Sequence, residues 1–330
     1  MATRLFAASS PHIHGGESTR RIMGDVVLAL IPALAVSAFI LGWHSLMITA
    51  VAVASCVMFE YLIQRFLIKG RTTIGDLSAV VTGVLLAFNL PAGIPWWIVV
   101  IGALVAIGIG KMTFGGLGCN PFNPALTGRI FLLIAYPQQM TDWSTGINTA
   151  VQDPTLFEGV VDAKSGATSL AVVKGHPEFV GNVNFGDMFL GNMNGSLGEI
   201  CALALILGGL YLLWRKVITW HIPVAVLGTM ALFAMCVGIG EGGSLIYELP
   251  LFHILAGGAL LGAIFMATDY STSPMTHKGM IIYGAGIGII TMVIRMWGAY
   301  PEGMSFAIFI MNAATPLINR YCRPKRFGTK

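Results

Sequence analysis

Three polar stretches interrupt an otherwise apolar chain, and each holds residue types that could do chemistry. The first is Asp162-Ala163-Lys164-Ser165-Gly166-Ala167-Thr168-Ser169-Leu170. Small residues flank a hydroxyl there, with an acid upstream, so an enzyme could grip the segment and modify Thr168. Taken alone, the same residues also make a flexible turn. The second is Phe114-Gly115-Gly116-Leu117-Gly118-Cys119-Asn120-Pro121-Phe122-Asn123-Pro124-Ala125. Its glycines and two Asn-Pro steps cannot continue a regular helix. Backbone groups freed at membrane depth need a cavity, a ligand or protein partners, and Asn120 and Asn123 stand ready there. A tight turn between helices fits as well. No strand precedes the glycines, so they give little support to a dinucleotide-binding turn. The third stretch runs from Phe265 to Pro274 and contains Asp269, either a solvated loop carboxylate or cap, or a group that meets a cation or other ligand inside the bundle. Glu60 and Arg129 lie inside apolar runs, where ionisable groups face protein or water. Arg65 is the local partner that sequence offers to Glu60.

Metal chemistry is not expected. None of the five cysteines forms a CxxC pair, and Cys56, Cys201 and Cys236 sit in apolar runs as small packing residues. His12, His14 and His277 lack ligand spacing. Trp96, Trp97 and Trp297 fall at inferred interfaces and read as bilayer anchors.

These stretches need a scaffold, and composition says which kind. Of 330 residues, 55% are hydrophobic and 10% charged, against about 25% charged in soluble domains. Too few charges remain to cover a water-facing surface, so lipid is the expected solvent. The net charge of +4 is too small to point to nucleic acid. The apolar runs are Val26–Trp43, Leu46–Phe66, Leu77–Leu90, Ile94–Gly110 and Ala125–Tyr136, then Ile200–Trp214, Ile218–Gly238, Leu249–Ala267, Met280–Trp297 and Met304–Ile318. Several fall short of the ~20 residues of an ideal span, which predicts short or broken helices. The expected fold is an all-α polytopic membrane protein of about ten transmembrane helices. Arg20, Arg21, Arg65, Lys69, Arg71, Lys111, Arg215, Lys216, Lys278 and the basic C-terminal tail all fall on one side. Lysine and arginine favour the cytoplasmic side of short loops, so both termini are expected inside and the Pro137–Leu197 loop outside.

That loop divides the chain into an N-terminal five-helix half (1–136), a periplasmic segment (137–197) and a C-terminal five-helix half (198–330). An odd number of spans per half predicts two inverted repeats, a plan common in transporters with a central site between the repeats. Gly83-Val84-Leu85-Leu86 against Gly258-Ala259-Leu260-Leu261, and Asn123-Pro124-Ala125 against Asn312-Ala313-Ala314, are the local likenesses that support it.

In order along the chain, Ser10-Pro11-His12 with Ser18-Thr19, Ser78-Ala79-Val80-Val81-Thr82-Gly83, the Gly118–Ala125 turn, Ser165-Gly166-Ala167-Thr168 and the Ala267–Pro274 turn form a specific combination. It resembles the D-type subunits of Rnf electron-transport complexes, a family shared with the B-type subunits of sodium-translocating NADH:quinone oxidoreductases. The resemblance implies FMN joined through its phosphate to Thr168 by a flavin transferase, within a pattern that Asp162, Ser165, Gly166 and Ala167 match. Ala163 departs from the usual glycine. It further implies a subunit of an ion-translocating ferredoxin:NAD oxidoreductase, not catalytic alone, in the bacterial inner membrane beside A-, B-, C-, E- and G-type subunits. Coupling would be to Na⁺ or H⁺, with the nicotinamide and ferredoxin sites on other subunits. Asn120, Asn123 and Asp269 are the further cofactor-binding candidates, and the resemblance leaves open a noncovalent flavin such as riboflavin. The competing expectation is a urea-channel-like solute channel or transporter, which needs no flavin.

Overall fold

Helices start and stop in this chain where capping groups and helix breakers dictate. In the computed structural model, residues 18–70, 72–142, 170, 173–174, 185–191, 195–240, 248–300 and 302–323 are described. Among them every regular element is helical. The first helix, α1 (Thr19–Leu41), opens on Ser18, whose Oγ accepts from Arg21 N at 3.3 Å. It turns at Gly42 into α2 (Trp43–Leu62), which runs on as a π-turn to Ile68 and stops at Lys69 in the left-handed region. Asp76 Oδ1 accepts from Ser78 N at 2.8 Å at the start of α3 (Ser78–Phe88). That helix has 11 residues, about 16 Å of rise, so it reaches about halfway across a bilayer core. Next come α4 (Trp96–Leu104), prolonged as a π-turn to Ile109, and α5 (Pro124–Ala135).

The second half contains α6 (Ala202–Trp214), α7 (His221–Gly240), α8 (Glu248–Leu255) and α9 (Ala259–Leu261), the last running into a π-turn at Gly262–Met266. It ends with α10 (His277–Trp297) and α11 (Met304–Tyr321). Each apolar run of the sequence is helical, but their lengths differ. Thr19–Leu41, Trp43–Ile68, Trp96–Phe114, His221–Ile239 and His277–Trp297 are long and apolar enough to cross a membrane. Glu248–Leu255 with Ala259–Met266 makes a sixth candidate, bent by 67° at its break. Ser78–Phe88, Pro124–Ala135 and Ala202–Trp214 are apolar but shorter.

Packing joins the halves twice. Helix α1 lies along α6, and α5 meets α11, while α2 packs on α3 and α4 and α7 packs on α10. Arg215 Nη2 and Asp25 Oδ2 pair at 2.9 Å across the C-terminal end of α6 and the start of α1, beside Arg20 and Arg21. We call this the basic end. At the opposite end Trp97 meets Tyr136 edge-on with ring centroids 5.5 Å apart.

Candidate functional site

Near the basic end the two interrupted turns of the sequence come together. Gly115, Gly116 and Gly118 take φ values of 109°, 99° and 87°, which a side chain would resist, and so fold the chain back before α5. Asn123 then caps α5, its Oδ1 accepting from Ala125 N at 3.0 Å, with Pro124 at the first helical position. Its Nδ2 donates to Met266 O at 3.2 Å, a carbonyl freed where the π-turn after α9 runs out. Ser271 Oγ lies 3.0 Å from Asn120 Oδ1 and 2.9 Å from Asp269 Oδ2, so it can donate to either. Asn120 Nδ2 donates to Phe122 O at 3.0 Å, and the Phe122 ring stacks on Phe309 of α11 at 4.2 Å. Burial raises the half-buried Asp269 carboxyl above its ordinary value, while hydrogen bonds from Ser271, Thr272 and Asn120 pull it back.

Around these turns lies a cavity with about 770 Å³ of atom-free space, part of it open to solvent. Asn120, Asn123, Thr268 and Asp269 line one side, and Ser78, Thr82 and Lys111 another, with apolar walls from Met23, Val26, Leu85 and Phe265. Lys111 is 1% exposed and donates from Nζ to Glu60 Oε2 and to Ser78 Oγ, each at 2.6 Å. Glu60 is also fully buried, and its Oε1 accepts from Gln64 Nε2 and Thr73 Oγ1, both at 3.2 Å. The partner of Glu60 is therefore Lys111 rather than Arg65. Asn123 and Asn312 are also neighbours. With the Asn312 amide nitrogen facing Ile308 O at 3.2 Å, its oxygen accepts from Asn123 N at 3.2 Å.

Towards the opposite end, two arginines tend the broken helices. Arg129 of α5 donates from Nη1 to Asn89 Oδ1 at 2.6 Å and pairs through Nη2 with Glu302. Asn89 in turn donates to Leu85 O at 2.6 Å, closing the last turn of α3. Arg295 of α10 donates to His253 O at 2.6 Å and Ala256 O at 2.9 Å, carbonyls that the break after α8 leaves without helical donors. Met266 ties this region to the cavity, its Sδ 3.7 Å from Asn89 Nδ2 and its carbonyl on Asn123. A second cavity, of about 780 Å³ atom-free space, is lined by Leu170, Lys174, Leu249, His253, Arg295 and Trp297 among others.

The NQR2, RnfD, RnfE family matches residues 6–328, nearly the whole chain. The chain belongs to this family. It is similar to the D-type subunit of the Na(+)-translocating ferredoxin:NAD(+) oxidoreductase complex of Acetobacterium woodii, 46% identical over 326 residues, which are 98% of this chain and 95% of the relative. It is also similar to the D-type subunit of the proton-translocating ferredoxin:NAD(+) oxidoreductase complex of Clostridium ljungdahlii, 42% identical over 98% of this chain and 96% of the relative. The D-type subunit of the ion-translocating oxidoreductase complex of Escherichia coli K12 is 36% identical over 97% of each. Of the candidates read from the sequence of this NQR2, RnfD, RnfE family member, Asn120, Asn123 and Asp269 meet at one cavity. Asp162, Ser165, Gly166, Ala167 and Thr168 lie outside the described residues. Sequence reasoning missed Lys111, which reads as a loop lysine, and Glu302 and Glu199, which read as loop acids. The signal available for Lys111 was Glu60, a buried acid in need of a cation.

Proposed function

We propose that this chain is the D-type membrane subunit of an ion-translocating oxidoreductase complex and carries FMN on Thr168 through a phosphoester. It works beside A-, B-, C-, E- and G-type subunits, relays electrons between ferredoxin- and NAD-linked partners, and is not catalytic alone. It lies in the bacterial inner membrane with both termini cytoplasmic, and a flavin transferase attaches the cofactor. The observation that carries this reading is the Asp162–Thr168 pattern, placed just ahead of residues docked on the second cavity.

That placement suits the group. Leu170 is 3% exposed and Val173 4%, so these two side chains are held against the bundle. Lys174 donates from Nζ to Tyr300 O at 2.8 Å and also to Gly298 O. Lys174, His253 and Arg295 present cationic or donor groups to the cavity, and no acid lines it among the described residues. Such a lining favours a phosphate, and Trp297, Leu249 and Leu170 supply apolar walls for an aromatic ring system. When bound, FMN accepts one or two electrons and so links carriers of either kind. The protein's part is to fix its place, shield it with Leu170 and Trp297, and hold charge beside it with Arg295.

The lining of the cavity near the basic end suits a polar-edged ligand, a second, noncovalent flavin or a hydrated ion. Its apolar walls and its rim of Asn120, Asn123, Thr268 and Asp269 suit a flat ring with polar edges such as riboflavin. Lys111, held by Glu60, is the cation nearest such a ligand.

Changing Thr168 to Val tests the assignment directly. Flavin fluorescence of the denatured band should disappear while membrane insertion is unchanged, and Thr168→Ser should keep part of it. Full fluorescence in Thr168→Val would sink the assignment. Flavin released from that variant on denaturation reports the noncovalent site separately.

A further inference from the structure

We propose that the buried carboxyl of Glu199 is a proton-binding site at the junction of the two halves. Glu199 ends a short segment that lies across the break after α3. Leu197 N donates to Leu90 O at 3.2 Å and Gly198 N to Phe88 O at 2.9 Å. Its side chain then crosses to the other broken helix. A Cβ added at Gly258 would stand 2.9 Å from Glu199 Oε1, and Arg129 Nη1 is 3.8 Å from the same point. The carboxyl thus rests on the Gly257–Gly258 break, which only a chain without side chains there permits.

What surrounds it is a set of charges already committed elsewhere. Arg129 of α5 serves Asn89 and Glu302, and Arg295 of α10 serves the carbonyls that end α8. His253 of α8 presents an Nδ1 without a partner. Glu199 is 3% exposed, receives Ser196 N at a long 3.4 Å, and has no partner at Oε1. The Nε atoms of both arginines are also buried without partners. An ionised carboxylate this far from water needs a direct counter-charge or several donors, and this one has only Ser196 as a hydrogen-bond donor. Forming an O–H bond with a proton from solvent removes the charge at once, and losing that proton restores it. A metal cation suits the place poorly. Guanidinium groups only donate and repel it, and a hard cation seeks about six oxygen ligands. Burial and the charge of Glu302 push the Glu199 carboxyl above its ordinary value, against the pull of Arg129 and Ser196.

Access comes from the cavity lined by Leu170, His253 and Arg295. Leu170 Cδ2 and Arg295 Nη2 are 3.5 and 3.1 Å from a Cβ built at Gly257, one residue from the point that Glu199 touches. A proton on Glu199 would balance negative charge arriving on that side. This use rests on the proposed flavin, whereas proton binding itself does not.

Infrared spectroscopy of the reconstituted complex tests the site. As pH falls, the wild type should gain a protonated-carboxyl band that is absent from Glu199→Gln and kept in Glu302→Gln. The band should survive in Thr168→Val, and its midpoint should ignore Na⁺ concentration. Persistence of the whole band in Glu199→Gln, or a midpoint that moves with Na⁺, overturns the proposal. A second measurement needs no variant. A hydrophobic carbodiimide, which attacks protonated buried carboxyls, should label Glu199 in the wild type increasingly as pH falls. Mass mapping that finds no adduct on Glu199 at low pH also overturns it. Failure of the flavin assignment would show only as fluorescence retained by Thr168→Val, with the band and the adduct unchanged.

Discussion

Lys111→Met removes one member of a buried ion pair and leaves the other, which allows the energetics of the cavity wall to be worked from the structure. Lys111 and Glu60 are 1% and 0% exposed, and their charged atoms lie 2.6 Å apart. Taking away the ammonium strands Glu60 with only Gln64 and Thr73 as donors to Oε1. Breaking such a pair costs about 3–5 kcal/mol, because an uncompensated charge stays buried. Glu60→Gln strands the ammonium instead, with Ser78 Oγ as its remaining acceptor, and should cost a similar amount. The double variant removes both charges. Its cost should fall to about 1–2 kcal/mol, since replacing both partners of a buried pair is often near neutral. Denaturant unfolding of the purified chain in detergent, run on all four proteins, gives the cycle. Single costs that simply add in the double variant would refute the reasoning, because they would mean that the two groups do not neutralise each other.

Asn123→Ala should lose a helix cap of about 1 kcal/mol and leave Met266 O unpaired at a further ~1–3 kcal/mol, read by the same unfolding measurement. With Thr168 flavinylation unchanged, it should also lower electron transfer or ion pumping in vesicles, and wild-type rates for both would reject Asn123 as a participant. Asp269 has its carboxyl raised by burial, so the stability it contributes is full at low pH and is lost as pH rises through the raised value. Asp269→Asn stays neutral throughout, so its stability relative to wild type should improve as pH rises, and thermal melts at acidic and alkaline pH will show whether it does. Reporter fusions active only in the periplasm should work within Pro137–Leu197 and fail at Lys330, and the reverse pattern would refute the topology.

The sequence made some features legible because they are local. Glycine and proline at Phe114–Pro124 announced an interrupted helix, and Asn123 ahead of Pro124 is a cap that residue types alone suggest. The apolar runs located the helices for the same reason. Span count was harder. Leu77–Leu90 has the composition of a span, yet helix α3 ends at Phe88 because Asn89, Leu90 and Pro91 turn the chain. Likewise Leu249–Ala267 reads as one run, but Gly257 at φ 65° and Gly258 divide it. Composition averages over such breaks. Charge partners were hidden for a different reason. Lys111 and Glu60 are 51 positions apart, and Arg129 and Glu302 are 173 apart. No periodicity links them, so the sequence offered Glu60 only its neighbour Arg65.

Those distant pairs explain why the breaks persist. A helix interrupted inside a membrane exposes carbonyls that lipid cannot satisfy. Here Asn123 takes Met266 O, Arg295 takes His253 O and Ala256 O, and Asn89, held by Arg129, takes Leu85 O. Asn123 lines the cavity at the basic end, Arg295 lines the second cavity, and Arg129 acts on Glu199. The groups that stabilise the irregular backbone are therefore the ones left to meet a ligand or a proton. Met266 contacts both sets, its Sδ facing Asn89 and its carbonyl accepting from Asn123. A substitution that shortens the Met266 side chain, such as Met266→Ala, removes the Sδ contact with Asn89 and leaves the backbone carbonyl on Asn123.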